Sequence, residues 1–322
     1  MVLPNRSHKG VRSIDTAIEF SNVSRRFGSR EAVSELTLAV PQGAVVGFLG
    51  PNGAGKTTTV RLLVGMLNPS SGGLLVLGLD PVRQGEQVRA RIGVVLDQVG
   101  LYDRLTAYQN LEFHARIHRL PRAEAERRIH RLLERVGLWE RRGDHVSGFS
   151  RGMRQQLGFA RALLSEPELL ILDEPTAGLD PENIVHVREL LRELADEGGR
   201  TIFLCTHLLD EAERLCSEIA IIQGGRLRAH GAPRELEGGR EPTVRLRLRG
   251  PTAVSELPPL PEGVGLTSLG GDEWQATLSA PDDVEALVAT LVRAGVGIRA
   301  VTPVQESLED VYLRVVGGGR RE

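Results

Sequence analysis

Gly50-Pro51-Asn52-Gly53-Ala54-Gly55-Lys56-Thr57-Thr58 follows the apolar run Ala44-Val45-Val46-Gly47-Phe48-Leu49 and precedes a helical pattern over Thr57–Met66. Strand, glycine-rich turn and helix in that order, with the spacing G-x-x-x-x-G-K-[ST], make a phosphate-binding loop. Glycines let backbone N–H groups close on an anion, and the helix N-terminus adds the positive end of its dipole. Of the 40 basic residues, all but Lys9 and Lys56 are arginine. A compact ammonium on a slim stem is therefore kept where the loop needs a cation that can reach between phosphates.

The bulk numbers set the frame. A chain of 322 residues with 41% hydrophobic and 25% charged content suits a globular protein of two domains. A net charge of −2 gives no global attraction to nucleic acid or anionic lipid. The two cysteines, Cys205 and Cys216, have neither metal-site spacing nor secreted-scaffold density, and Cys205 ends an apolar run as a core thiol does. No stretch approaches the roughly 18 apolar residues of a membrane span. The first ten residues carry no apolar signal core. A cytoplasmic protein is expected, reaching any membrane through a partner.

Along the chain, residues 1–15 read as a flexible tail. Alternation in Ala17–Val23 and Leu36–Val40 predicts strands of a small antiparallel layer. Short strands are expected at Leu74–Leu77 and Ile92–Leu96. A helical block covers Ala107–Val136, split in two by Pro121. That block is rich in arginine with few acids to balance it, which fits a solvated face better than a docking surface. Strand and helix then alternate: Leu169–Leu172, Glu182–Ala195, Thr201–Cys205, Leu208–Leu215 and Ile219–Ile222. Such alternation predicts an α/β fold with a mainly parallel sheet covered by helices. Residues 231–242, rich in Gly, Pro and charge, read as a linker. Beyond it, strands at Val244–Leu248, Trp274–Leu278 and Ile298–Val301 and helices at Asp282–Arg293 and Ser307–Arg314 predict a small α+β domain over 243–322.

A phosphate-binding loop alone leaves kinases, GTPases and ATPases open. Leu169-Leu170-Ile171-Leu172-Asp173-Glu174 narrows the choice, because it is an apolar strand ending in two carboxylates. If the chain turns both toward the phosphates, Asp173 can hold Mg²⁺ through water while Thr57 ligates it, and Glu174 can orient or deprotonate the attacking water. As bland alternatives they would be capping acids before Pro175. Between loop and strand, Phe149-Ser150-Arg151-Gly152-Met153-Arg154-Gln155 opens a helix whose free N–H groups suit an anion.

This order of motifs resembles the nucleotide-binding subunit of ATP-binding cassette (ABC) transporters. The resemblance spans residues 16–230, with a P-loop NTPase core, an antiparallel β layer and an inserted helical subdomain at about 98–165. It implies ATP and Mg²⁺ as ligands and assigns the nucleotide to Gly50, Pro51, Asn52, Gly53, Ala54, Gly55, Lys56, Thr57 and Thr58. It implies that Ser150, Arg151 and Gly152 close on the γ-phosphate held by a second subunit, although Phe149, Arg151 and Met153 depart from the usual Leu-Ser-Gly-Gly-Gln. Arg151 either contacts phosphate or backbone, or faces solvent.

Asp180, in Ala177-Gly178-Leu179-Asp180, resembles the aspartate that couples the two sites of a dimer; its bland reading is a turn before Pro181. His207 resembles the histidine that reaches the γ-phosphate and the catalytic water. Phe27 resembles the aromatic residue that stacks on adenine. A glutamine that usually approaches Mg²⁺ is replaced at the aligned position by Asp97, with Gln98 one residue later and able to serve after a small shift. The segment Gly100–Leu105 is expected to face a membrane partner.

The resemblance thus implies an ATPase working as a homodimer, or with a paralogous ATPase subunit, on an integral-membrane permease subunit at the inner face of the cell membrane, with no nucleic acid partner. The variant signature and the Ser307–Leu313 tail resemble exporters of drugs, antibiotics or other hydrophobic compounds. A soluble ABC ATPase with a regulatory or resistance role is the alternative.

Overall fold

The protein, seen in a computed structural model, is described over residues 16–237, 242–249, 257–280, 282–304 and 307–317. It divides into two compact units, Met1–Gly231 and Ala232–Glu322. The expected tail at 1–15 lies outside the described residues.

In the first unit, β1 (Thr16–Phe27) and β2 (Arg30–Pro41) form an antiparallel hairpin. β3 (Val45–Leu49) leads into α1 (Lys56–Leu63). The helix stops short of the expected Met66 because Gly65 takes a left-handed φ of 71° and its N–H turns back to Leu62 O. β4 (Ser71–Val76) pairs antiparallel with the far side of β1, giving the layer β2-β1-β4. A short α2 (Gly85–Arg91), not anticipated in the sequence, precedes β5 (Ile92–Val95).

Three helices follow. α3 (Ala107–Ile117) starts at a reciprocal capping box between Thr106 and Gln109. Pro121 separates it from α4 (Arg122–Arg135), and α5 (Arg151–Leu163) packs on both. The arginines of this block are better balanced than the sequence reading allowed. Glu112 pairs with Arg116, Glu124 with Arg127 and Arg128, and Glu166 with Arg128 and Arg131. The Arg116–Glu112 and Arg127–Glu124 pairs are exposed helix-spaced contacts that contribute only tenths of a kcal/mol each, on the order of 0.3–0.5.

The chain then alternates through β6 (Leu169–Asp173), α6 (Pro181–Asp196), β7 (Thr201–Thr206), α7 (Leu209–Leu215), β8 (Glu218–Gln223) and β9 (Arg226–Gly231). The sheet order is β5-β6-β7-β3-β8-β9. The first five strands are parallel, and β9, which the sequence reading missed, closes the edge antiparallel to β8. Every residue of β6 and β7 is buried, the signature of a parallel sheet covered on both faces. Central β3, β6 and β7 therefore end at one sheet edge, where the loops that follow them carry the chemistry.

In the second unit, α8 (Pro233–Glu237) forms within the stretch expected to be a linker. It packs against the C-terminal helix of the same unit. Residues 238–241 of that stretch lie outside the described residues. Next come β10 (Thr243–Arg249), β11 (Gly265–Gly270), β12 (Glu273–Thr277), α9 (Asp283–Arg293), β13 (Gly297–Val304) and α10 (Leu308–Gly317). The strands make an antiparallel sheet ordered β11-β12-β10-β13. Alternate residues of β10 face a core centred on Trp274, Leu287 and Leu291. β11 escaped the sequence reading because its apolar alternation is weak, only Leu266 being buried.

Candidate nucleotide-binding site

Between β3 and α1 the chain must turn tightly around a space, and its glycines make that possible. Gly55, the residue before α1, has φ 115°, and a Cβ there would stand 2.5 Å from the Ala32 carbonyl oxygen. The next residue, Lys56, is buried at 6% exposure. Its Nζ donates to Gly50 O at 2.6 Å and pairs with Glu174 Oε1 at 3.1 Å. A buried ammonium is tolerated only with such partners.

Glu174 arrives there through backbone strain. Adjacent residues of a strand point to opposite faces. Glu174 breaks the alternation with a left-handed φ of 51°, and its N–H donates to Cys205 O of β7 at 2.8 Å. A non-glycine residue in that region costs about 1 kcal/mol or more, so the neighbours must hold it. As a result Asp173 and Glu174 both line one cleft. Glu174 Oε2 accepts from His207 Nδ1 at 2.8 Å, placing the residue just after β7 against the residue just after β6.

Asp173 is 2% exposed and lies beside the Thr57 side chain. Burial raises its carboxyl above the ordinary range, the Thr57 side chain opposes that rise, and the charge on Glu174 adds to it. Its Oδ1 is buried with no hydrogen-bond partner. Nearby Cys205 is fully buried, and burial pushes its thiol well above the usual range, as suits an inert core thiol.

The cleft has a volume of about 570 Å³. It gathers Phe27, Pro51, Asn52, Gly53, Gly55, Lys56, Thr57, Thr58, Asp97, Asp173, Glu174 and His207 from the sequence-derived set. Gly50 and Ala54 belong to the same loop but form its buried back, where a Cβ on Gly50 would meet Ile222 O at 2.4 Å. Phe27, 44% exposed, has the Arg25 guanidinium 4.6 Å from its ring centroid. A cation on a π face leaves the opposite face as the one available for stacking.

Arg30, Ala32 and Ala177 also line the cleft, and the sequence reading missed them. Arg30 is the first residue of β2, just past the hairpin turn, where nothing but proximity to Phe27 in the sequence marks it. Asp97 and Gln98 are both exposed, and of the two only Asp97 is among the residues lining the cleft.

Four other candidates lie elsewhere in the same unit. Ser150 caps α5, its hydroxyl accepting from Met153 N at 3.2 Å. Arg151 reaches Asp97 at 3.4 Å and covers Gly178, where a Cβ would stand 2.7 Å from its guanidinium. Gly152 is packed so closely on Asn183 that a Cβ would lie 2.4 Å from that side chain. Asp180 accepts from Asn183 N at 2.9 Å as the N-cap of α6, with Pro181 at the first helical position. None of these four is among the residues lining the cleft.

A hard divalent cation fits the cleft's donor set. Thr57 and Asp173 supply oxygen donors side by side, and the orphaned Asp173 Oδ1 is a buried acceptor in need of a positive partner. Among the described residues no three His, Cys, Asp or Glu side chains cluster to hold a metal by themselves. Such an ion would have to share its shell with phosphate oxygens and water, as Mg²⁺ does in phosphoryl-transfer sites.

A family model described as ABC transporter matches residues 33–177. The daunorubicin resistance ATP-binding protein DrrA3 of Streptomyces coeruleorubidus is 40% identical over 317 residues, covering 95% of this chain and 98% of its own. The chain belongs to the ATP-binding subunits of ABC transporters. The bacitracin transport ATP-binding protein BcrA of Bacillus licheniformis is 35% identical over 306 residues, covering 95% of this chain and 99% of its own. Coverage of that extent takes in most of the second unit, so these ABC relatives share it. A solved structure of an ATP-binding subunit of an ABC transporter superposes with a TM-score of 0.64 at 33% identity, covering 69% of this chain and 92% of that one. As a member of this family the ABC subunit is an ATPase with a P-loop α/β fold. Among the described residues no helix is long and apolar enough to cross a membrane.

Proposed function

We propose that this ABC ATPase hydrolyses Mg-ATP as a dimer of two copies and drives a separate integral-membrane subunit that exports a drug-like or hydrophobic compound. The observation that carries the catalytic half is the chain of contacts Lys56–Glu174–His207, at 3.1 and 2.8 Å, beside the unpartnered Asp173 oxygen. In this reading the backbone N–H groups of Gly53 to Thr58 cradle the phosphates at the α1 N-terminus. Lys56 releases its loop carbonyls and spreads its charge over the β- and γ-phosphates. Phe27 stacks on adenine with the face that Arg25 does not occupy.

Glu174 accepts a hydrogen bond or proton from water as the water oxygen bonds to the γ-phosphorus and the bond to ADP breaks. His207 donates through Nδ1 to Glu174, which keeps that carboxylate aimed and leaves Nε2 for the nucleotide. Thr57 and Asp173 would hold Mg²⁺, which when bound neutralises charge on the phosphate oxygens.

The second copy is inferred from what the cleft lacks. Ser150, Gly152 and Asp180 stand outside it, and Ser150 uses its hydroxyl on its own helix. A helix N-terminus offering free N–H groups can serve a γ-phosphate only in another copy's cleft. Export rather than import is supported by the daunorubicin resistance of the 40% identical relative, because resistance to a drug fits its removal from the cell. A cytoplasmic subunit bound to the inner membrane face follows from the same reading.

Replacing Glu174 by Gln keeps the shape and removes the acceptor of the proton. With Mg²⁺ and saturating ATP, the purified variant is expected to stop turning over and to run as an ATP-bound dimer in size-exclusion light scattering. A monomeric Glu174→Gln variant at saturating ATP contradicts the dimer.

A further inference from the structure

Among the described residues only three charged side chains fall in the buried class: Lys56, Asp173 and Glu211. The first two belong to the cleft. Glu211, 1% exposed, has no part in the function described so far. A buried carboxylate is costly and persists where its neighbours hold it. Its neighbours come from the segments that carry the hydrolytic residues. Oε2 accepts from Thr176 Oγ1 at 2.9 Å, and Oε1 lies 3.4 Å from Arg188 Nε. Thr176, itself 2% exposed, is two residues beyond Glu174, and Arg188 is on α6, the helix capped by Asp180. Glu211 is on the first turn of α7, which begins two residues after His207.

We infer that Glu211 is a positioning residue for ATP hydrolysis: through Thr176 it ties the Glu174–Asp180 segment to α7, so that Glu174 and His207 keep their contact as one unit. The inference rests on reading Glu174 and His207 as the hydrolytic pair. Three features make the tie more than local packing. Glu174 has a left-handed backbone that needs support, and Thr176 stands only two residues beyond it on the way to α6. The Thr176 hydroxyl has no solvent to fall back on, so its hydrogen bond to a carboxylate is of the strong, buried kind. Arg188 opposes the charge of Glu211 from α6, so the same carboxylate also reaches the helix that Asp180 caps.

The test is steady-state ATP hydrolysis and nucleotide binding by the full chain with Mg²⁺. Thr176→Val keeps the shape and removes the hydroxyl, so kcat is expected to fall about tenfold while nucleotide affinity stays within about twofold. Thr176→Ser restores the hydroxyl and is expected to keep near-normal turnover. The double change Thr176→Val with Glu211→Ala is expected to be no worse than the poorer single change, as for two ends of one contact. Normal kcat in Thr176→Val overturns the inference, as does equal damage in Thr176→Ser and Thr176→Val. So does a loss that appears only as weaker nucleotide binding. Should Glu211→Ala fail to fold, the two Thr176 variants still decide. No hydrolysis by the unmodified chain would instead overturn the reading of the site, and this inference with it.

Discussion

β5 and β6 are neighbouring parallel strands, in register from Ile92 with Leu169 to Val95 with Leu172, and each runs out into acid at the same sheet edge. The two ends are built to different standards. Glu174 is held by Lys56, His207 and the Cys205 carbonyl, and Asp173 is buried beside Thr57 with one oxygen still unpartnered. Asp97 is exposed, and its one ion pair is with Arg151 at 3.4 Å, where both side chains are more than half exposed. An exposed pair of that length contributes about 0–1 kcal/mol. Carboxylates on one edge of one sheet thus differ by their surroundings, and surroundings decide what a carboxylate can do. The β6 end is tightly held, while the β5 end is tied only by an exposed pair.

Substitutions can break this contrast. The largest effect is expected for Asp173→Asn, which removes the charge facing Thr57 while keeping the buried shape. Mg²⁺-dependent hydrolysis should fall by about a thousandfold, and turnover within about tenfold of the unmodified chain would erase the distinction between the two strand ends. Asp97→Ala is expected to lower turnover about tenfold, because Asp97 lines the cleft but is loosely held. Gln98→Ala should change it less than about twofold, since Gln98 is exposed and away from the lining. If the order of the last two is reversed, a local shift brings the glutamine into the site and the Asp97 assignment is wrong.

The same contrast shows what could be read from sequence. The loop from Gly50 to Thr58 and the acids after Leu172 were legible because each is a short string whose spacing does the work within one turn. The alternating strands and helices around them were legible for the same reason, through periodicity. The contacts that join distant strings were not. Nothing in the sequence says that Glu174 takes a left-handed φ, or that His207 donates to it across two strand ends. Arg30 lines the cleft only because the hairpin folds back over the loop, whereas β9 follows the two-residue turn Gly224-Gly225, a hairpin signal the sequence reading passed over. Helix α8 was hidden in a Gly- and Pro-rich stretch by composition, although Pro233 is its first residue.

The central claim is that one cleft is completed by another copy's α5 N-terminus. It is tested by mixing two inactive variants, Lys56→Ala and Gly152→Glu, each carrying one broken half of the composite site. Separately neither should hydrolyse ATP. Mixed in equal amounts, hybrid dimers contain one site with both halves intact, so hydrolysis should return to about a quarter of the unmodified rate. No recovery on mixing, with both variants folded, would contradict the shared site.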